Sequence, residues 1–543
     1  MSAAGTGAQA APTQRAAPSN SMRSLAIRGS MWSTIAFGAS NVIRLIGNIL
    51  LANLLLPEYF GMTVIVGTLM SGLQMFSDIG IGPSVVQNPR GRNRAFLNTA
   101  WTMQVIRGVI VWLAACALAY PFALRFGDAD SPDTNAAALT PVILFVSVAA
   151  LISGFNSTSL FTLQRRMDVR KIALLDVAVQ IVQTIVMVAW AYFYPSVWAL
   201  VAGTITAAVV RAVASHYLEP APGDRFQWEP KAVKSLMHFG GWIFVSTVFT
   251  FFAQQGDKLL FGDHITKEVL GVYSIAVMLA IVPLDVSRRI GESVAFPAYS
   301  RTIHEGGDLR RTFKTIRSPI SIGGALLITG AAAVGPDFVL MAYKKDYSGA
   351  AAFVPIIAAG GLFQLFEFTV GAAVLAAGNA KIIAYGNLAK VIGLLIFVTL
   401  GLMIGGWIPD SWIAWEQSHL SAMQEWFTPQ GWAWTTLERF KEWVGHTNSH
   451  ESLLWAVAGV TVADLGRYAV FAFAAKRLKL SFLKHDLVLF LGCAAAFWLA
   501  KEGAGLLGLR DGTILAFLVK GTIVTACFAY PCWHAFTKVF RRR

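Results

Sequence analysis

"FFAQQGDKLLFGD", Phe251 to Asp263, places two glutamines, two aspartates and a lysine at the end of an apolar run long enough to cross a membrane. Gln254, Asp257 and Lys258 fall at i, i+3 and i+4, so on a helix they share one face. On a soluble helix that face would meet water. On a membrane-spanning helix it must look into protein or into a wet interior.

The rest of the chain decides between these. Of 543 residues, 55% are hydrophobic and 14% charged, against about 25% charged in soluble domains. So little charge cannot cover so much apolar surface in a globule. Windows of about 19 residues place fourteen spans, near 31–55, 60–83, 98–121, 139–162, 172–194, 197–216, 240–261, 270–286, 317–340, 351–375, 382–407, 453–474, 486–500 and 513–535. The eighth and thirteenth are short, and a re-entrant last pair would leave twelve. The chain therefore reads as an all-α polytopic membrane protein.

The net charge of +14 would suggest nucleic acid in a soluble protein. Here the basic residues concentrate in alternate loops. "RGRNR" (Arg90–Arg94), "QRRMDVRK" (Gln164–Lys171), "SRTIHEGGDLRRTFKTIR" (Ser300–Arg317), "KRLKLSFLK" (Lys476–Lys484) and the tail "KVFRRR" fall on one side, and the acidic "RFGDADSPD" (Arg125–Asp133) on the other. The bias exceeds about three to one and predicts both termini in the cytoplasm. No nucleic-acid partner is needed to explain the charge.

Cys116, Cys493, Cys527 and Cys532 lie in spans without zinc-ligand or redox spacing, and the nine histidines form no metal motif. Neither a metal nor a cofactor is expected. Residues 1–29, rich in Ala, Gly, Ser, Pro and Thr, read as a disordered cytoplasmic N-terminus rather than a secretory signal.

Residues 408–450 break the pattern of short loops and hold Trp412, Trp415, Trp426, Trp432, Trp434 and Trp443. Their helical spacing fits a lid or, as the preferred reading, helices lying in the headgroup layer, where tryptophan is favoured.

Other spans repeat the opening pattern. Asn41, Arg44 and Asn48 share a face of the first; Gln104 and Arg107 share one of the third; Asp176, Gln180 and Gln183 share one of the fifth. Gln364 and Glu367 line the tenth, Asn387 and Lys390 the eleventh, and Asp464 and Arg467 the twelfth, while Lys520 sits in the last. Each charged group costs about 2.5–3.5 kcal/mol to insert. Pairing across helices, such as Arg44 with Asp78 or Lys390 with Glu367, would offset that cost. So many polar faces are described more economically by a hydrated cavity. Cations slightly outnumber acids within the spans, which would suit an anionic ligand.

At this point a family resemblance emerges. "LLANLLLPEYFGMTVIV" (Leu50–Val66), "FSDIGIGPSVVQNP" (Phe76–Pro89), "GDKLLFGDHITKEVLGVYSIAVMLAIVPLDV" (Gly256–Val286) and "VAFPAYSR" (Val294–Arg301) resemble, in order and spacing, segments of polysaccharide exporters. The resemblance covers about residues 25–400. It points to the Wzx-type polysaccharide transporter branch of the MOP superfamily. The 408–450 insertion departs from that pattern, and beyond about residue 450 only hydrophobicity matches.

The resemblance implies two six-helix lobes, 30–220 and 221–475, around a central cavity, with 476–543 supplying two extra helices and a basic tail. It also implies a flippase in the bacterial inner membrane, carrying undecaprenyl-pyrophosphate-linked oligosaccharide outward for exopolysaccharide, capsule or O-antigen. Polymerase and export machinery are its expected partners. In that frame Arg44 and Arg107 become substrate-binding candidates for the headgroup or pyrophosphate, with Lys390 and Arg467 as secondary substrate-binding candidates in the second lobe. Asn41, Asn48, Gln104, Gln180, Gln254 and Gln364 become cavity polar groups. Asp78, Asp176, Asp257, Lys258 and Glu367 become coupling or gating candidates, with H+ or Na+ as the possible coupling ion and Lys258 as the charge partner of Asp257. A multidrug extruder of the same superfamily is the first alternative. A membrane polymerase or ligase is the second, on account of His419, Arg439, His446 and His450 in the insertion; no DxD motif is present. The expected class is a transporter, not an enzyme.

Overall fold

The computed structural model describes residues 20–78, 80–128, 131–219, 224–238, 241–379, 381–407, 450–480 and 482–540. The 408–450 insertion lies outside them except for His450.

All regular structure among the described residues is helical. The N-terminal set is α1 (Asn20–Leu54), α2 (Pro57–Phe76), α3 (Ile81–Gln87), α4 (Arg94–Phe126), α5 (Ala136–Gly154), α6 (Ser159–Arg165), α7 (Val169–Phe193) and α8 (Trp198–Tyr217). After α9 (Pro230–His238) come α10 (Gly241–His264), α11 (Lys267–His304), α12 (Leu309–Ala342), α13 (Ala350–Ala376), α14 (Lys381–Gly393) and α15 (Thr399–Trp407). The chain ends with α16 (His450–Arg477), α17 (Leu483–Leu506) and α18 (Ile514–Phe540).

Thirteen stretches among the described residues are long and apolar enough to cross a membrane. The seventh expected span is occupied by α10, a 24-residue helix whose polar residues lower its hydropathy. The eighth is not short. α11 runs for 38 residues, about 57 Å at 1.5 Å per residue, because "SRRIGESVAFPAYSRTIH" continues the helix past the membrane. The chain is likewise helical from Asn20, within the stretch expected to be disordered.

Local chemistry sets the helix starts. Asn93 and Asn135 accept from the amides of Ala95 and Ala138, and Asp308 accepts from those of Arg310 and Arg311, each satisfying donors that a first turn leaves open. Pro57 stands in the first turn of α2. Gly80, at φ +71°, makes the left-handed step from Asp78 into α3. α14 and α15 form one rod through a π-helical turn, Leu394–Val398.

α1, α2, α4, α5, α7 and α8 pack as one lobe, and α11 to α16 as a second around α13. α17 and α18 pack on α12. The linker with α9 is strapped to the first lobe: Arg90 holds both carboxylate oxygens of Glu229 at 2.7 and 2.8 Å, and Asn88 donates to Ser235 at 2.8 Å.

The lobes meet where α2 crosses α11 and α10. A Cβ on Gly61 would fall 1.8 Å from the Lys267 carbonyl oxygen, and one on Gly271 1.9 Å from that of Pro57. These backbones touch, as small residues allow in membranes. That end of the bundle, which carries the α4–α5 loop with Asp128, is the acidic-loop end. The opposite end carries the basic loops.

Candidate functional site

The polar face of Phe251–Asp263 opens into a cavity of about 570 Å3 inside the second lobe. α10 supplies Gln254, Gln255, Asp257 and Lys258, and α13 supplies Gln364 and Glu367. Across from them stand Lys390 of α14 and Asp464 and Arg467 of α16. Four helices thus converge their polar stripes, as the sequence reading expects of a wet interior.

Pairing is nevertheless extensive. Lys390 Nζ is 2.7 Å from Asp464, which also accepts from Gln364 Nε2 at 2.9 Å. Arg467 Nε is 3.3 Å from Glu367. Asp257 accepts from the Tyr273 hydroxyl at 2.7 Å, whereas Lys258 donates to Gln255 at 2.7 Å. The expected link between neighbours 257 and 258 is replaced by these two bonds, since adjacent side chains diverge on a helix. Asn387 donates to Thr250 at 2.8 Å, tying α14 to α10.

A second pocket, about 410 Å3, lies within the first lobe. Gln104 reaches the carbonyls of Gly154 and Asn156 at 3.2 and 3.0 Å. Arg107 donates to the Gln74 carbonyl at 2.6 Å and to Ser77 at 3.1 Å, with Asp78 at 3.6 Å. Arg211 lines the same pocket and pairs with Asp176 at 2.6 Å. On the same helix as Asp176, Gln180 bonds Thr184 at 3.3 Å.

The illustrative pairings suggested by sequence take other partners: Asp78 joins Arg107 and not Arg44, and Glu367 joins Arg467 and not Lys390. Asp78 follows the end of α2 and meets Arg107 of α4, while Arg44 lies on α1, which packs on α7 and α11. Arg44 is exposed and bonds Asn41, and Asn48 reaches Met278 Sδ at 2.6 Å. Asp285 of α11 sits in the field of Arg288, Arg44 and Arg289. Arg289 also donates to Ser33 at 3.0 Å and covers the ring of Phe37. Three cations thus act electrostatically on one carboxylate near the α1–α11 contact.

Asp285 and Arg288 also line the larger cavity, beyond the in-span groups that the sequence singles out. A span ending at residue 286 splits "DVSRR" between membrane and loop. Their i, i+3 spacing on the cavity face was the available signal.

The acidic-loop end is closed by ties between the lobes. Lys267 Nζ and backbone amide each lie 3.0 Å from an Asp128 oxygen. Arg125 pairs with Asp263. The Tyr347 hydroxyl donates to the Leu55 carbonyl at 3.0 Å, and Asn53 to that of Ala342 at 3.1 Å. At the basic-loop end, the α1–α11 contacts through Arg289 join the lobes.

Two deeply buried pairs serve architecture. Arg317 grips Asp486 with both nitrogens, at 2.6 and 2.7 Å, while Tyr468 donates to the same carboxylate at 2.6 Å. Lys520 bridges Asp337 and Asp511 at 2.9 and 2.8 Å. These pairs fasten α17 and α18 to α12. Lys520 was legible as an in-span charge; Arg317 was assigned to a loop, because α12 begins well before the apolar run.

Comparison with known proteins agrees with this architecture. The family described as polysaccharide biosynthesis protein matches residues 50–352. The lipopolysaccharide biosynthesis protein WzxC of Escherichia coli K12 is 21% identical over 71% of this chain and 77% of its own length. The teichuronic acid biosynthesis protein TuaB of Bacillus subtilis is 19% identical over 71% and 78%. The succinoglycan biosynthesis transport protein ExoT of Rhizobium meliloti is 23% identical over 50% and 53%. Among solved structures, the lipid II flippase MurJ in an inward closed conformation superposes with a TM-score of 0.66 at 11% identity, covering 94% of this chain and all of that one. An inward-facing multidrug transporter of the MOP superfamily gives 0.52 at 10% identity, over 84% and 98%. The chain belongs to the polysaccharide biosynthesis protein family and has the fold of MOP-superfamily transporters.

Proposed function

We propose that the protein is a flippase that carries oligosaccharide repeat units, linked to undecaprenyl pyrophosphate, across the bacterial inner membrane for exopolysaccharide, capsule or O-antigen assembly. The carrying observation is a multi-helix polar cavity inside a two-lobed bundle of this family. The roles that WzxC, TuaB and ExoT bear in their names support it.

The physics makes such a cavity necessary. Each sugar hydroxyl taken unpaired through hydrocarbon costs about 2–7 kcal/mol, and one repeat unit carries many. Polar side chains replace water while the polyprenyl tail stays in lipid. With both termini in the cytoplasm, the ties at the acidic-loop end close the outer side, and rocking of the lobes would exchange them for ties at the inner side. The inside-negative potential favours outward movement of an anion by about 2.3 kcal/mol per charge per 100 mV.

Arg44, with Arg288 and Arg289 across the α1–α11 boundary, is assigned to the pyrophosphate, whose oxygens match forked guanidinium donors. Arg107, Lys390 and Arg467, with the amides of Gln104, Gln254 and Gln364, are assigned to the sugars. Asp257, bonded to Tyr273, is the coupling acid for a proton or sodium ion. Polymerase and export proteins would receive the product outside, and this chain performs transport rather than catalysis. A pocket for organic cations would carry surplus acid, which the larger cavity does not show among the described residues.

A strain lacking the protein should lose surface polymer, keep its drug tolerance, and regain polymer on re-expression. Unchanged polymer with lost drug tolerance would select the extruder reading instead.

A further inference from the structure

Resting on the flippase reading, we infer that the sugars this protein accepts are uncharged, with the pyrophosphate as the cargo's only anionic part. Among the described residues, the larger cavity holds four cations, Lys258, Arg288, Lys390 and Arg467. Against them stand four carboxylates, Asp257, Asp285, Glu367 and Asp464. Asp285 and Arg288, at i and i+3 on α11, are one of each sign, so the balance holds with them or without them. The surplus of cations that a count over the spans suggests is absent from this cavity.

The pairing matters as much as the balance. Lys390 is held by Asp464, and Arg467 by Glu367. In the smaller pocket, Arg107 spends donors on Gln74, Ser77 and Asp78, and Arg211 is held by Asp176. A cargo carboxylate would have to displace one of the protein's own, leaving that group buried and unpaired. A sugar hydroxyl displaces nothing, since it donates to the carboxylates and accepts from the ammonium and guanidinium groups together. Phe296 and Phe368 line the same space, and aromatic side chains suit the apolar C–H faces of uncharged sugars.

The phosphate end differs. Arg44, Arg288 and Arg289 all act electrostatically on Asp285, three cations against one carboxylate. The charge layout thus separates an anion-binding boundary from a neutral sugar chamber.

The test uses the full-length protein in proteoliposomes with two undecaprenyl-pyrophosphate trisaccharides. One carries three hexoses; the other has a hexuronate in place of the terminal hexose. The neutral unit should cross at least about tenfold faster, equivalent to about 1.4 kcal/mol. Glu367→Gln, which releases Arg467, should narrow that gap. Asp464→Asn, which releases Lys390, gives the same readout should Glu367→Gln fail to fold. Equal or faster movement of the hexuronate unit by the unaltered protein overturns the neutral-sugar inference while leaving the flippase reading in place. A gap that neither variant narrows also overturns it. Movement of neither unit overturns the flippase reading itself.

Discussion

Lys267 and Asp128 lock the two lobes together: the lysine, only 1% exposed, presents both its ammonium and its backbone amide to one carboxylate, each at 3.0 Å. The contact joins the α4–α5 loop of the first lobe to the first residue of α11 in the second. Asp128→Asn would leave a buried ammonium without its counter-charge, a loss of about 3–5 kcal/mol. Export should fall at least about tenfold, and the exchanged pair Lys267→Asp with Asp128→Lys should recover part of it. An exchanged pair no better than the single variants would contradict a direct ionic tie.

The adjoining helix crossing makes a steric prediction. Gly61→Val puts a Cβ 1.8 Å from the Lys267 carbonyl oxygen, so α2 must move away from α11. The variant should insert normally but hold the acidic-loop end apart. A cysteine replacing Phe60, 7% exposed, should then label rapidly with a membrane-impermeant maleimide, and slowly when Gly61 is intact.

Inside the cavity, Lys390→Met and Asp464→Asn should each destabilise the protein by about 3–5 kcal/mol, because each strands a buried charge. The double variant should melt closer to the original than either single one. Thermal unfolding in detergent reads this, and strictly additive losses would show that the 2.7 Å pair carries no coupling.

At the α1–α11 boundary, Arg44→Ala should abolish polymer export while membrane levels persist, and Arg44→Lys should restore a fraction, since a lysine keeps the charge but loses the fork. Normal export by Arg44→Ala would remove this residue from the headgroup site.

Asp257→Asn should blunt any dependence of transport on an imposed proton or sodium gradient while the Tyr273 contact persists through the remaining carbonyl oxygen. An identical gradient response in both proteins would remove Asp257 as the coupling acid.

The membrane fold was legible because apolar runs and loop charges act locally, and Phe251–Asp263 already showed which face of α10 turns inward. Gln254, Asp257, Lys258, Glu367, Lys390, Asp464 and Arg467 were readable as cavity residues from helical spacing alone. Their partners were not, because whether Glu367 meets Lys390 or Arg467 depends on how α13, α14 and α16 rotate against one another. The Lys267–Asp128 tie is illegible in the sequence for a different reason. The two residues sit at helix ends, where charge is inexpensive and hydropathy says nothing of what touches across the bundle. Arg317 was hidden by its neighbours: a basic loop composition continued smoothly into a buried helix that grips Asp486.

The most direct measurement follows the leaflet position of a lipid-linked oligosaccharide in proteoliposomes holding this protein alone. Lectin or glycosidase access to the sugars should transfer from one leaflet to the other with the unaltered protein, and remain on the starting side with Arg44→Ala. Transfer at the rate of protein-free vesicles would contradict the account.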